Sequence, residues 1–293
     1  MERNREVRKI LVYILALNWL VALAKLAFGF MINSASMIAD GFHSFADGLA
    51  NIVGLVGIHL SCQPIDKDHP YGHKKYETFT AIFIAILLFL VCFNILHDSI
   101  ERIKNPIIPK VNIYSFLVMI VTMLINIFVM RYEFRCGKRL NSDILVSDSM
   151  HTRTDIFTSC AVIIALIASK SGLRFIDPIG SMVIAGFIAY GGIEILQETS
   201  RVLCDAAMVD IKKIEKIVMG VEGVAFCHKI RTRGRPDDIH IDLHVQVSND
   251  MHITTAHKLS YKIEDQIKKK IPGVVDVVVH MEPLTSRDKE EKH

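Results

Sequence analysis

Ala39-Asp40-Gly41-Phe42-His43-Ser44-Phe45-Ala46-Asp47 decides how this chain is read, because its polar residues interrupt a segment otherwise apolar enough to span a bilayer. The spacing returns intact as Asp148-x-x-His151-x-x-x-Asp155, again in an apolar stretch. Ionisable side chains inside a membrane are costly and mark ion paths or proton relays. On a helix, residues three and four apart share a face, so each copy presents two carboxylates and an imidazole along one stripe. Short runs of capping Asp with incidental His would be the plainer account. A polar pattern repeated in two apolar segments is hard to assign to capping. Two facing stripes offer a His2Asp2 set, which suits a tetrahedral divalent transition metal.

Within each stripe the i, i+4 pair can grip one ion. His43, Asp47, His151 and Asp155 are therefore the expected metal ligands. Asp40 and Asp148 lie nearly a turn away and are better placed to orient ligands or relay protons. Ligands must be deprotonated to coordinate, so metal and protons would compete for the same atoms, a ready means of coupling their movements.

Working outward, 51% of the 293 residues are hydrophobic and the mean hydropathy is +0.34. The apolar residues gather in runs of about 20, the length that crosses ~30 Å of hydrocarbon. Six spans are expected: Ile10–Phe30, Met37–Leu60, Phe79–Leu96, Ile113–Met130, Ile144–Ala168 and Ile176–Ile195. The first is too long for a signal-peptide core. An even number puts both termini on one side. Lys and Arg number eleven in the candidate inner segments against five in the outer ones, which places both termini in the cytoplasm. The outer loop with Arg102, Lys104 and Lys110 dissents. Six Cys are scattered singly, without disulfide or zinc-ribbon spacing, as in a reducing compartment. The net charge of +3 is dispersed and gives nucleic-acid binding no support.

After Leu203 the pattern becomes that of a soluble α/β domain. Ile211–Met219 reads as a helix, Val224–Ile230 and Ile239–Val247 as strands, Thr254–Ile271 as an amphipathic helix and Val274–His280 as a third strand. Arg233–Asp238 reads as a polar turn. The chain thus divides into a six-helix membrane part (1–207), a small cytoplasmic α/β domain (208–285) and a charged tail (286–293) expected to be disordered.

Two further clusters are candidates. Asp66-x-x-His69-Pro-Tyr-Gly-His73 places a carboxylate and two imidazoles around a Pro-Gly turn, either a zinc-like site or a polar turn with solvated histidines. In the α/β domain His240, Asp242 and His244 share one strand face, while His228, His257, His280 and Glu282 lie on neighbouring elements. Their convergence would make a metal site. Lys25 is expected to snorkel or pair with a carboxylate, and Arg153 to make a helix–helix ion pair. Asn18, Asn51 and Asn126 read as interhelical hydrogen-bonding residues.

With these motifs in place, the chain resembles the cation diffusion facilitator family of metal/proton antiporters. The likeness runs from the first span to Val278-Val279-His280-Met281-Glu282-Pro283. It is carried by Ala39–Asp47, Pro64–His73, His151-Thr152-Arg153-Thr154-Asp155, His228–Arg233 and Ile241-Asp242-Leu243-His244. It implies a homodimer with six spans per subunit and a cytoplasmic metallochaperone-like, ferredoxin-like domain. It implies export of a divalent metal from the cytoplasm against protons; the ligand type favours zinc, with iron, cadmium, cobalt or manganese as the other cargoes. It assigns a transport site to His43, Asp47, His151 and Asp155. It assigns a second site to Asp66, His69 and His73, and a regulatory site to His228, His244, His257, His280 and Glu282. His240 has no clear counterpart. The chain lacks a long His-rich loop between the fourth and fifth spans, which points to a prokaryotic-type protein of the inner membrane. A membrane-embedded metalloenzyme would also use His and Asp, but no H-E-x-x-H signature or separate general base is evident. A membrane-anchored metal sensor is the third alternative, against which the repeated stripe argues.

Overall fold

The structure, a computed structural model, describes residues 2–107, 109–140, 143–173 and 175–284; the side chains of residues 2–8, 58, 140, 143–148 and 151 also fall outside the description. The tail beyond residue 285 lies outside it too. Two compact units separate near Leu196.

The first unit contains α1 (Glu2–Ile32), α2 (Ala35–Ser61), α3 (Lys75–Lys104), α4 (Ile113–Leu140), α5 (Asp143–Lys170) and α6 (Ile176–Leu203), which runs past the boundary. All six contain a stretch long and apolar enough to cross a membrane. Only 22% to 39% of each such stretch is buried inside the bundle, so most of its apolar surface faces outward. Phe83, Phe93, Phe128, Phe157 and Phe187 are among these outward residues. In water that surface would be a liability; in hydrocarbon it needs no cover. The helices overrun the expected spans at several ends, because a helix keeps its own hydrogen bonds on leaving the bilayer.

Local chemistry fixes α2, which carries the first polar stripe. Asn33, at φ 59°, ends α1: Ser34 N–H donates to Gly29 O and Asn33 N–H to Phe30 O, the paired bonds of a Schellman motif. Asn tolerates this left-handed conformation better than most residues. The exposed N–H groups that begin α2 are then capped from another helix. Asp177 on α6 accepts from Ala35 N (2.6 Å), Ser36 N (3.2 Å), Ser34 Oγ (2.7 Å) and Ser36 Oγ (2.5 Å). A carboxylate at a helix N-terminus also complements the helix dipole. Close approach of α1 to α2 depends on small residues. A methyl group on Gly41 would come within 2.8 Å of Leu26, and one on Gly48 would collide with Trp19. Behind α2, Met37, Ala39 and Ala46 join Leu88 and Cys92 of α3, Val162 and Leu166 of α5, and Ile184 and Ile188 of α6 in one core.

The second unit holds α7 (Ile211–Met219), β1 (Phe226–Arg235), β2 (Asp238–Val247), α8 (Ile253–Lys270) and β3 (Val274–Pro283). Asp210 caps α7 by accepting from Lys212 N. Strand order is β1-β2-β3, with β1–β2 antiparallel and β2–β3 parallel. Ile239, Ile241, Leu243 and Val245 alternate inward from β2 and meet Ile214 and Val218 of α7 and Ile263 and Ile267 of α8. The helices cover one face only, so His240, Asp242 and His244 line the other. β1 and β2 pair as far as Arg235 and Asp238, so the polar segment expected as a six-residue turn is mostly strand and the turn narrows to Pro236-Asp237.

Candidate functional site

In the helical unit, His43, Asp47 and Asp155 bring one ligand atom each within 4.8 Å of one another. His43 Nδ1 lies 3.6 Å from Asp47 Oδ2, and Nε2 lies 3.6 Å from Asp155 Oδ1. These gaps exceed a good hydrogen bond. They end on different nitrogens of one ring, so an ion held by one of those nitrogens can match only one gap to the ~3.4 Å edge of a tetrahedron with ~2.1 Å bonds. The second nitrogen then faces the other carboxylate at 3.6 Å. The adjoining cavity, ≈ 20 Å³, is lined by Asn18, Val21, Ser44, Asp47, Gly48, Asn51, Thr152 and Asp155. That is room for about one water or one ion. Asn18 and Asn51, expected as interhelical ties, thus face the cavity. The helical backbone places residue 151 one turn before Asp155; the side chains of His151 and Asp148 lie outside the described residues.

Asp40 is not among the three. It pairs with Lys25 at 2.8 Å, both wholly buried, which settles Lys25 as a paired cation. Arg153 differs from its expected ion pair: its guanidinium lies 5.8 Å from the Phe157 ring on its own helix. Glu133 on α4 has no counterpart among the residues expected from the motifs. It is fully buried and accepts from Thr152 Oγ1 at 3.1 Å. The expected fourth span stops at Met130, and a lone Glu among Arg131 and Arg135 looks like loop charge. The helix runs on to Leu140.

Asp66, His69 and His73 converge likewise. Asp66 Oδ1 accepts from the N–H groups of Asp68 and His69 and lies 3.0 Å from His69 Nδ1, while Oδ2 lies 3.3 Å from His73 Nε2. The His69–Gly72 turn, with Gly72 at φ 84°, returns His73 to the carboxylate. The backbone N–H of His69 holds the Asp66 pKa below its usual value, aided by both imidazoles and opposed by partial desolvation. The ionised form, the one that ligates, is favoured.

On the open sheet face, Glu282 bridges two imidazoles: Oε1 to His244 Nδ1 at 2.6 Å and Oε2 to His228 Nε2 at 2.9 Å. His280 Nε2 is 3.6 Å from Oε1. The hydrogen bond with His244, then that with His228, lowers the Glu282 pKa against desolvation. Register explains the meeting. His244 pairs with His228 on one side and His280 on the other. Strand alternation alone would put His228 on the same side as Ile230, in the core. A bulge between His228 and Arg231, with Lys229 at φ 48°, inserts one residue and turns His228 outward. His257 does not join this cluster: it sits exposed on α8, across the sheet, against Tyr261 at 4.9 Å. His240 stands nearer Asp238 and Asp276, at 3.9 and 3.8 Å.

Six apolar helices, a cation-sized polar cavity between three of them and a small α/β domain are now joined by a match to known sequences. The model of the cation efflux transmembrane domain matches residues 11–204, and that of the cation efflux protein cytoplasmic domain matches residues 207–284. The chain belongs to the cation diffusion facilitator family. It is an integral membrane cation efflux transporter and not an enzyme, which removes the metalloenzyme alternative. An uncharacterized transporter of Methanocaldococcus jannaschii is 30% identical, the match covering 95% of this chain and 99% of that protein. The manganese efflux system protein MneS of Bacillus subtilis is 29% identical over 98% and 100% of the two chains. The cation-efflux pump FieF of Pectobacterium carotovorum is 25% identical over 86% and 85%.

Proposed function

We propose that this protein exports divalent transition-metal ions, zinc foremost, from the cytoplasm in exchange for protons. The ion would sit on His43, Asp47, His151 and Asp155. The observation that carries this reading is the meeting of His43, Asp47 and Asp155 from two helices around one cavity. Residues 1–207 form the transport part, with both termini in the cytoplasm of a prokaryotic inner membrane. Residues 208–285 form a dimerising metal-binding part in a homodimer. Zinc loading of proteoliposomes with a pH-sensitive dye inside tests it: stoichiometric counterflow of protons supports antiport, and metal flux without it refutes antiport.

The relative MneS is described as a manganese efflux protein, so manganese is the rival cargo. An imidazole in the ligand set favours zinc-like ions, whereas all-oxygen sites suit manganese. His43→Asp is therefore expected to raise manganese, cadmium or iron transport relative to zinc. An unchanged rank order across a metal panel would put selectivity elsewhere.

The cluster on the sheet is proposed as a second, regulatory metal site, with the loop cluster of Asp66, His69 and His73 as a third. In the sheet cluster a metal would replace the protons shared between Glu282 and the two imidazoles. The domain has its own core, so residues 208–293 can be tested alone. Zinc at a hundredfold its Kd should stabilise the domain by about 2.7 kcal/mol, a rise in Tm of roughly 10–20 °C for a domain this size. Replacing His244 and Glu282 together should abolish the rise. If the double variant still responds, zinc binds somewhere other than this cluster.

A further inference from the structure

Lys25 lies within a membrane-spanning helix and has no exposed surface, so it does not snorkel to an interface. Its ammonium group meets three acceptors: Asp40 Oδ2 at 2.8 Å, Ser159 Oγ at 3.0 Å and Ser44 Oγ at 3.3 Å. An ammonium has three protons to donate, and here each has a destination. Ser159 Oγ also donates to Asp40 Oδ2 at 3.3 Å, which closes the network. Lys25 belongs to α1, Asp40 and Ser44 to α2, and Ser159 to α5. One nitrogen therefore joins the two helices that carry the metal ligands and the helix packed behind them.

The junction sits beside the cation cavity along both helices. Asp40 precedes His43 by three residues, Ser44 follows it directly, and Ser159 lies four residues beyond Asp155. Ser44 also lines the cavity itself. Buried ion pairs are weak stabilisers, since an apolar pair of similar volume often does as well or better. What a charged, fully hydrogen-bonded junction supplies beyond stability is a defined geometry.

We propose that Lys25 is a positioning residue for transport. Through Asp40, Ser44 and Ser159 it sets the separation of α2 and α5, and so holds His43, Asp47 and Asp155 close enough to share one four-coordinate ion. Four-coordinate ions such as zinc and cobalt are thereby favoured over manganese, which takes octahedral oxygen sites. The proposal rests on the transport site described above and deepens it.

Cobalt(II) is the probe, because its visible bands are intense when tetrahedral and weak when octahedral. The full-length protein carries Asp66→Ala, His69→Ala, His244→Ala and Glu282→Ala, so that the loop and sheet clusters are silent. Lys25→Met with Asp40→Leu removes both charges together and leaves no orphan ion in the bundle. This variant should bind cobalt and zinc about tenfold more weakly, the scale seen when groups that orient ligands are removed. It should also lose the tetrahedral bands and export more manganese relative to zinc. Ser159→Ala cuts only the α5 contact and should shift the same readouts less far; it decides the matter where the double variant does not fold. Unchanged bands and an unchanged zinc-to-manganese ratio in the folded variant overturn the proposal and leave the transport site standing. Failure of the site itself reads differently: Asp155→Ala in the same background would keep both the bands and the flux.

Discussion

Proteoliposomes carrying Asp155→Ala, or Asp47→Ala, are expected to show zinc flux at background, with the protein still folded in detergent. Each substitution removes a carboxylate oxygen from a group whose members lie within 4.8 Å of one another. Groups that merely orient a ligand cost ~10–100-fold in metal affinity when lost, and a ligand should cost more. Stability should hold, since a carboxylate in a membrane cavity is desolvated and its removal lifts that penalty. The contrast with Asp40 is informative. Asp40→Ala would strand the Lys25 ammonium without its charge partner, and such orphaned buried charges cost ~3–5 kcal/mol. Asp40→Ala should therefore lower the melting temperature where Asp155→Ala does not. Full proton-coupled zinc flux in both Asp47→Ala and Asp155→Ala would falsify the placement of the ion.

The meeting of His43, Asp47 and Asp155 was legible because its signal is chemical and local. Two i, i+4 pairs of His and Asp are costly in apolar segments and so point to a site, and helix periodicity alone predicts that each pair shares a face. The strand face bearing His240, Asp242 and His244 was legible for the same reason, with a period of two. What the sequence hid depended on tertiary geometry. His228 reaches Glu282 only through a bulge at Lys229, whose positive φ no residue pattern announces. His257 has metal-ligating chemistry, yet α8 carries it across the sheet from His244. Glu133 was hidden by the end of the hydrophobic run, because hydropathy reports where a segment leaves hydrocarbon and not where its helix stops. Asp177 caps α2 from 141 residues away in sequence, and no local capping rule looks that far.

Transport should also respond to pH with opposite sign on the two faces. The expected ligands include imidazoles and carboxylates, which coordinate only when deprotonated, so proton and metal exclude each other at the same atoms. Acid on the cytoplasmic side then opposes capture and should slow export. Acid on the outer side promotes displacement of the ion where it must leave, and supplies the protons that return inward; it should speed turnover until release no longer limits the cycle. Simple acid inactivation has no such asymmetry, since a damaged bundle fails whichever face is titrated. The measurement is zinc flux in right-side-out vesicles with each face buffered independently, at fixed free zinc and with the electrical potential clamped. His43→Asp changes one competing atom from nitrogen to oxygen. The acid limb on the cytoplasmic side should therefore shift in that variant. Equal slowing from both faces would remove the antiport reading and leave a uniporter or channel built on the same cation centre.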